Sequence, residues 1–243
     1  MRTDFQHFYV LPDNVDRDFF MLTGDEFHHA VHVLRKTVGE SLTAVDGKGV
    51  LYTGILDHIE GEQAFVQIQD RSLRVGEPQL YIILAQALLK SNAFDFIIEK
   101  GIEIGISSFQ PIYTQRTLVK SETRLERWRK KAIAAMKQSG RCVCPEVRKP
   151  VLFEKVFEQI HHDLAVFVHE DTPAGEFNSV ERIKESKNIM VLVGPEGGFT
   201  ENEVKFAGER KSVLMSLGPR RLRSETASLV ACTKILQWAD ELG

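Results

Sequence analysis

The chain has 243 residues, enough for one or two domains that each bury a core of their own. Hydrophobic residues make up 43% and charged residues 27%, an ordinary globular balance, and the apolar runs at 80–85 and 189–193 are far too short to cross a bilayer. A formal net charge of −3 excludes a protein that coats nucleic acid over its whole surface.

The opening residues 1–10 mix Arg2, Asp4 and His7 with phenylalanines and carry no charged-then-apolar leader pattern, so a cytoplasmic location without membrane contact is expected. Thr23 and Glu26 have capping-box spacing ahead of a helix over 27–34. Short alternating runs follow at 42–45, 51–55 and 64–68, separated by the turn signals Asp46-Gly-Lys-Gly49 and Glu60-Gly-Glu62. They predict a small antiparallel barrel over residues 1–72. Gly76 and Pro78 break the alternation, which places a linker at 73–79.

From residue 80 to 243 the period changes. The continuous apolar run 80–88 reads as a strand buried on both faces, leading into a helix with Phe94, Ile97, Ile98 and Ile102 on one side and Gly105 as its stop. Further strands are expected at 109–113, 164–168, 189–193 and 213–217. Helices are expected at 122–139, ended by Gly140, after the Thr200/Glu203 capping box, and from Glu225 to Leu242. Strands alternating with helices mean an α/β domain with a mainly parallel sheet.

Charge is unevenly spread. Residues 1–72 hold 6 Lys/Arg against 12 Asp/Glu, residues 73–243 hold 25 against 22, and residues 116–149 alone hold 11 against 3. A basic stripe of this kind suits nucleic-acid phosphates, and equally suits a solvated helix face. Cys142, Cys144 and Cys232 are too few for a disulfide framework and form no C-x-x-C pair, so reduced thiols are expected. His28 and His32 have metal-ligand spacing with His29 between them, but no third ligand accompanies them, and no metal is expected.

In open α/β sheets ligands bind at the carboxyl ends of the strands. Two Gly/Pro segments fall there: Gly194-Pro-Glu-Gly-Gly198 after one strand and Gly218-Pro-Arg-Arg-Leu-Arg-Ser-Glu-Thr226 after another. Neither is a phosphate-cradling G-x-x-x-x-G-K-[ST] loop or a dinucleotide-binding G-x-G-x-x-G.

Four segments in order, Glu99-Lys-Gly-Ile-Glu-Ile-Gly105, Gln138-Ser-Gly-Arg141, Leu192-Val-Gly-Pro-Glu-Gly-Gly-Phe199 and Leu217-Gly-Pro-Arg-Arg-Leu-Arg-Ser-Glu-Thr-Ala227, resemble the RsmE family of the SPOUT methyltransferase superfamily. That family comprises the 16S rRNA uridine-N3 methyltransferases. His29 to Arg35 is similar to its early His…Val-Leu-Arg signature, and the resemblance covers essentially the whole chain. Lys137, Arg221 and Ser224 depart from the family pattern, which usually has Glu, an aliphatic residue and Thr.

The resemblance implies a PUA-like N-terminal barrel, a C-terminal α/β domain with a deep trefoil knot, a homodimer, and S-adenosylmethionine held bent by the knotted loops. It places Gly194, Glu196, Gly197, Gly198, Leu217, Gly218, Leu222, Arg223, Thr226 and Ala227 around that cofactor, with Leu84 added as the end of the domain's first strand. The implied partner is 16S rRNA within the small ribosomal subunit.

Uracil N3 carries a proton at neutral pH, so methylation needs a partner for the developing negative charge and a base. Arg116 and Arg223 are the candidates for the first role and Glu225 for the second; Arg116 also suits a phosphate contact, and Glu225 also suits the N-terminus of the last helix. Candidate RNA contacts are Lys120, Arg124, Arg127, Arg129, Lys130, Lys131 and Arg141, with Arg2, Arg35 and Lys36 on the first domain. Two other readings stay open: a catalytically silent RNA-binding or assembly factor, and a methyltransferase of the same superfamily with another RNA target.

Overall fold

The computed structural model describes residues 7–90, 92–118, 124–170 and 179–242. The chain divides into two compact units, Met1–Glu77 with Ile133–Cys144, and Pro78–Ala132 with Pro145–Gly243. The boundary at Glu77 falls inside the expected linker. The return of Ile133–Cys144 to the first unit has no counterpart in the sequence reading.

In the first unit, β1 (Phe8–Tyr9), β2 (Phe19–Thr23), β3 (Ser41–Val45), β4 (Val50–Glu60) and β5 (Gln63–Leu73) form one sheet in the order β1-β3-β4-β5-β2. All pairs are antiparallel except β1 with β3. Alternation puts Phe20, Leu22, Leu42, Ala44, Leu56, Ala64 and Val66 into a common core, as a half-buried sheet requires. Gly54 allows β4 to press onto β5: a Cβ there would stand 2.4 Å from the Gln67 carbonyl oxygen, and the register shifts beside it.

The expected helix starts early, as α1 (Gly24–Phe27), and widens into a π-helical turn over His28–Val33. The Thr23/Glu26 capping box does not form. The Thr23 hydroxyl accepts from Asn14 Nδ2 at 3.4 Å, while Glu26 pairs with Lys137 Nζ at 2.5 Å. A charged partner outbids a backbone N–H for a half-buried carboxylate.

The segment Ile133–Cys144 is fastened into this unit by Glu77. Its carboxylate takes the Arg141 guanidinium at 2.7 Å and the N–H groups of Cys142 and Val143 at 3.0 and 2.9 Å. Gly49 N–H donates to the Cys142 carbonyl and Cys144 N–H to the Gly47 carbonyl. Arg141 is therefore 3% exposed, an internal strut rather than the surface RNA contact its place in the basic stripe suggested. Burial raises the thiol of Cys142 and pushes that of Cys144 up to about 11.

The second unit is α/β. Its strands are β6 (Tyr81–Ala87), β7 (Ser108–Tyr113), β8 (Glu146–Val147), β9 (Val151–Leu152), β10 (Leu164–Val168), β11 (Asn188–Val193) and β12 (Val213–Met215). The sheet order is β12-β10-β11-β6-β7-β8, with β9 also on β7, and every pairing is parallel. Its helices are α2 (Ala93–Ile104), α3 (Leu125–Ser139, whose residues from Ile133 belong to the first unit), α4 (Phe153–Gln159), α5 (Val180–Glu185), α6 (Glu201–Glu209) and α7 (Ser224–Trp238). Gly105 at φ 109° ends α2, as expected. Among the described residues no helix is long and apolar enough to cross a membrane.

Candidate functional site

The sheet's order places β11 and β6 side by side at its middle, where successive connections leave in opposite directions. Parallel strands there point their carboxyl ends the same way, and a crevice opens beyond them. A cavity of about 940 Å³ fills it, lined by Lys90 after β6, Arg116 after β7, Val168, His169 and Glu170 at β10, and the loops after β11 and β12. The size suits a ligand of cofactor dimensions together with a neighbouring group.

The wall after β11 is Gly194 to Phe199. At Gly194 an added Cβ would lie 3.1 Å from the Phe199 ring and 3.2 Å from the Gly198 carbonyl carbon, a crowding that glycine avoids. Gly198, at φ 69°, meets nothing nearer than 3.9 Å, so a ligand can approach its backbone closely. The wall after β12 supplies Leu217, Gly218 and Leu222, and α7 begins the floor with Ser224, Glu225 and Ala227.

A buried polar network locks these walls together. Gln86, 0% exposed in β6, donates from Nε2 to Ser224 Oγ at 3.0 Å and to the Ala87 carbonyl at 2.9 Å. Ser224 Oγ donates onward to the Gly194 carbonyl, and Ser228 Oγ stands between Gln86 Oε1 and the Ser224 carbonyl. Buried polar groups with a full set of partners fix one geometry. Neither Gln86 nor Ser228 stands out in the sequence, since the signal of each lies in partners that only folding brings together.

Arg116 reaches across the mouth. Its Nη1 donates to the Gly197 carbonyl at 2.6 Å and the Phe199 carbonyl at 3.3 Å, so the guanidinium braces the glycine loop while lining the cavity. Glu196 Oε1 accepts the Lys90 N–H at 3.1 Å on the opposite side. The rim gathers Lys205, Arg220, Arg221 and Arg223 as well, with Arg221 Nε 3.5 Å from Glu170.

The structure brings together eight of the residues expected around a cofactor: Gly194, Glu196, Gly198, Leu217, Gly218, Leu222, Arg223 and Ala227. It also brings Arg116 and Glu225 to the same wall. Three others stand apart. Leu84 is buried mid-strand between Val191 and Phe109, because β6 continues to Ala87. Gly197 turns outward and offers its carbonyl to Arg116, and Thr226 is exposed on the first turn of α7.

The basic stripe is largely engaged within the protein. Arg127 Nη2 bonds Asn92 Oδ1 at 2.8 Å and pairs with Asp95, whose other oxygen accepts Trp128 Nε1 at 3.0 Å. Lys131 pairs with Glu99 at 2.9 Å and Arg129 with Glu126 at 2.8 Å, while Lys130 is exposed and Arg124 half-buried. On the first unit Arg35 is exposed at φ 54°, and Lys36 lies 3.4 Å from Glu40. Arg2 and Lys120 lie outside the described residues. No group of three or more His, Cys, Asp or Glu that could hold a metal occurs among the described residues.

Comparison with known proteins bears on the same regions. The family model described as RNA methyltransferase domain matches residues 76–236, and that described as RNA methyltransferase PUA domain matches residues 22–69. The ribosomal RNA small subunit methyltransferase E of Bacillus subtilis (strain 168) is 30% identical over 227 residues, covering 89% of each chain. Its counterpart in Synechocystis is 32% identical over 230 residues, covering 93% of this chain and 75% of the other. The crystal structure of the Neisseria gonorrhoeae ribosomal RNA small subunit methyltransferase E, bound to S-adenosyl methionine, superposes with a TM-score of 0.84 at 30% identity, covering 96% and 97% of the two chains.

Proposed function

We propose, on the premise that the chain belongs to the ribosomal RNA small subunit methyltransferase E family, that it methylates N3 of one uridine in 16S rRNA. It is an S-adenosylmethionine-dependent rRNA methyltransferase, and the strand-end cavity is where the cofactor binds. The observation that carries the reading is the convergence on that one cavity of the open glycine loop, the apolar Leu217, Leu222 and Ala227, and the charged Arg116, Arg223 and Glu225.

The cavity fits such a cofactor. Adenine needs apolar walls and a few backbone donors and acceptors, which the leucines and the loops after β11 and β12 supply. Gly198 and Gly218 leave their surroundings open, with no atom within 3.9 Å of an added Cβ at the first and none within 4 Å at the second. When bound, S-adenosylmethionine supplies a methyl group already activated on a sulfonium.

The protein's own residues prepare the acceptor. Glu225, half-buried in the first turn of α7, takes the proton from uracil N3. The negative charge then spreads to the ring oxygens, where the guanidinium groups of Arg116 and Arg223 stabilise it. Arg116 enters this role already positioned, since two carbonyls hold its Nη1.

The first unit, residues 1–72 in our reading, is a PUA-like RNA-binding barrel, joined by 73–79 to the methyltransferase domain at 80–243. The domain carries the family's trefoil knot, otherwise a rare feature. Its support is that β12 lies at the sheet edge beside β10, whereas α7, next in sequence, packs on the central strands β6 and β11 and binds the Gly194 loop through Ser224. The enzyme acts in the cytoplasm as a homodimer, on rRNA assembled in the small subunit.

Primer extension on unmodified small ribosomal subunits, incubated with protein and S-adenosylmethionine, tests the reading. A methyl on N3 blocks the Watson–Crick edge, so one new cofactor-dependent stop at a uridine is expected. Cofactor binding without a stop would redirect the assignment to a ribose or another base. No cofactor binding at all would leave an RNA-binding factor.

A further inference from the structure

Glu203, in the first turn of α6, is a carboxylate only 2% exposed. Its Oε2 accepts the Thr200 N–H at 2.8 Å and the Thr200 hydroxyl at 3.0 Å, while the Glu203 N–H faces that hydroxyl at 3.4 Å. This is a complete capping box, and a capping box occupies one carboxylate oxygen.

The other oxygen serves a different loop. Oε1 accepts the Gln115 backbone N–H at 2.9 Å, from 88 positions away in sequence. Gln115 immediately precedes Arg116, whose guanidinium returns to the carbonyls of Gly197 and Phe199, just before Thr200. The bonds close a ring: Glu203 to Gln115, Arg116 to the glycine loop, Thr200 back to Glu203. The Thr114–Thr117 turn is closed on itself: Thr114 N–H donates to Thr117 Oγ1 at 2.9 Å and Thr117 N–H to the Thr114 carbonyl at 3.1 Å.

We propose that Glu203 is a positioning residue for methyl transfer, its buried carboxylate setting Arg116 against the glycine loop in addition to capping α6. The proposal rests on Arg116 being the charge-stabilising group assigned above. Arginine has a long, flexible stem, and Arg116 is itself exposed. Two carbonyls hold its Nη1, the Thr114–Thr117 bonds close the turn from which it springs, and the Gln115 N–H ties that turn to α6 through Glu203. A catalytic group displaced by about 1 Å can lose on the order of a hundredfold in rate, so such an anchor acts on turnover.

The test compares Glu203→Ala and the isosteric Glu203→Gln with Thr200→Ala, which removes the hydroxyl cap but keeps the bond to Gln115. Turnover on small subunits, cofactor KM, melting temperature and hydrogen exchange at the Gln115 amide are measured for each. We expect kcat to fall about tenfold or more in Glu203→Ala, with cofactor KM within about threefold of the parent. Gln115 should exchange faster in that variant, and in Glu203→Gln the loss of turnover should follow the gain in exchange. Thr200→Ala should melt earlier yet turn over within about twofold of the parent. Parental turnover in both Glu203 variants, or loss of turnover in proportion to melting temperature across all three, would overturn the proposal. A parent protein without methylation activity would refute the assigned function instead, and unchanged Gln115 exchange in Glu203→Ala would still refute the anchor.

Discussion

Ser224 Oγ donates to the Gly194 carbonyl oxygen at 2.5 Å, joining the first residue of α7 to the first residue after β11 across 30 positions of sequence. With Gln86 Nε2 donating to the same hydroxyl, this bond ties the loop after β11 and the start of α7 to the sheet beneath them.

Ser224→Ala removes that junction while barely changing volume. It leaves the Gln86 amide and the Gly194 carbonyl short of a partner where water does not reach, which costs about 1–3 kcal/mol of stability. Because the glycine loop loses its tether, cofactor affinity should fall by about tenfold, equivalent to about 1.4 kcal/mol. Calorimetric titration with S-adenosylmethionine and a thermal melt measure the two effects. Parental affinity in the alanine variant would show that the loop holds its shape without the tether.

Gly198 makes a sharper probe of the same loop. Its φ of 69° lies in the left-handed region, and no protein atom obstructs an added Cβ. Gly198→Ala therefore costs about 1–2 kcal/mol through backbone strain alone. The new methyl also projects where a ligand's close approach is expected, so cofactor binding should weaken by more than the melting temperature implies. Binding and melting that shift together by the same free energy would place the ligand elsewhere.

The sequence disclosed the sheet better than the site. Strands buried on both faces announce themselves as unbroken apolar runs, so 164–168 was found at its observed limits and 189–193 missed only Asn188. Gly105 and the Thr200/Glu203 box marked helix ends correctly because both signals are local. The same spacing misled at Thr23/Glu26, where Lys137, 111 positions away, claims the carboxylate. The two-residue strands β1, β8 and β9 are too short to show a period. Most cavity residues were legible through the glycine motifs. Gln86, Ser228 and the second bond of Glu203 were not, since each depends on partners brought together only by folding.

The basic stripe splits into two kinds of residue, and substitutions should separate them. Lys130 is exposed, so Lys130→Ala should leave the melting temperature unchanged, weaken RNA binding and reduce the salt slope of affinity by about one. Arg127 instead neutralises Asp95, whose side chain is 10% exposed and also holds Trp128. Arg127→Ala should destabilise the protein by about 1–3 kcal/mol, less than a fully buried pair because Arg127 itself is half exposed. Filter binding across a salt series, paired with melts, distinguishes the two. A drop of about one in salt slope in Arg127→Ala with an unchanged melt would return that residue to the RNA interface.

Acid sensitivity should trace in part to Asp163, which precedes β10. Its carboxylate accepts the N–H groups of Asn188 at 2.8 Å and Lys187 at 2.9 Å, and these two bonds hold its pKa below the usual aspartate value of 3.8. A carboxyl group whose pKa is lower in the folded than in the unfolded chain binds fewer protons when folded. Its contribution is therefore complete above about pH 4 and disappears as pH falls through the folded value. The side chain is exposed, so solvent screening limits the effect to about 1 kcal/mol or less. Asp163→Asn should consequently melt earlier than the parent near neutral pH, and the gap should close in acid once the parent's Asp163 is protonated. A gap that stays constant from neutral pH into acid would assign the loss to packing at the start of β10 and β11, and no gap at neutral pH would remove the carboxylate from the account altogether.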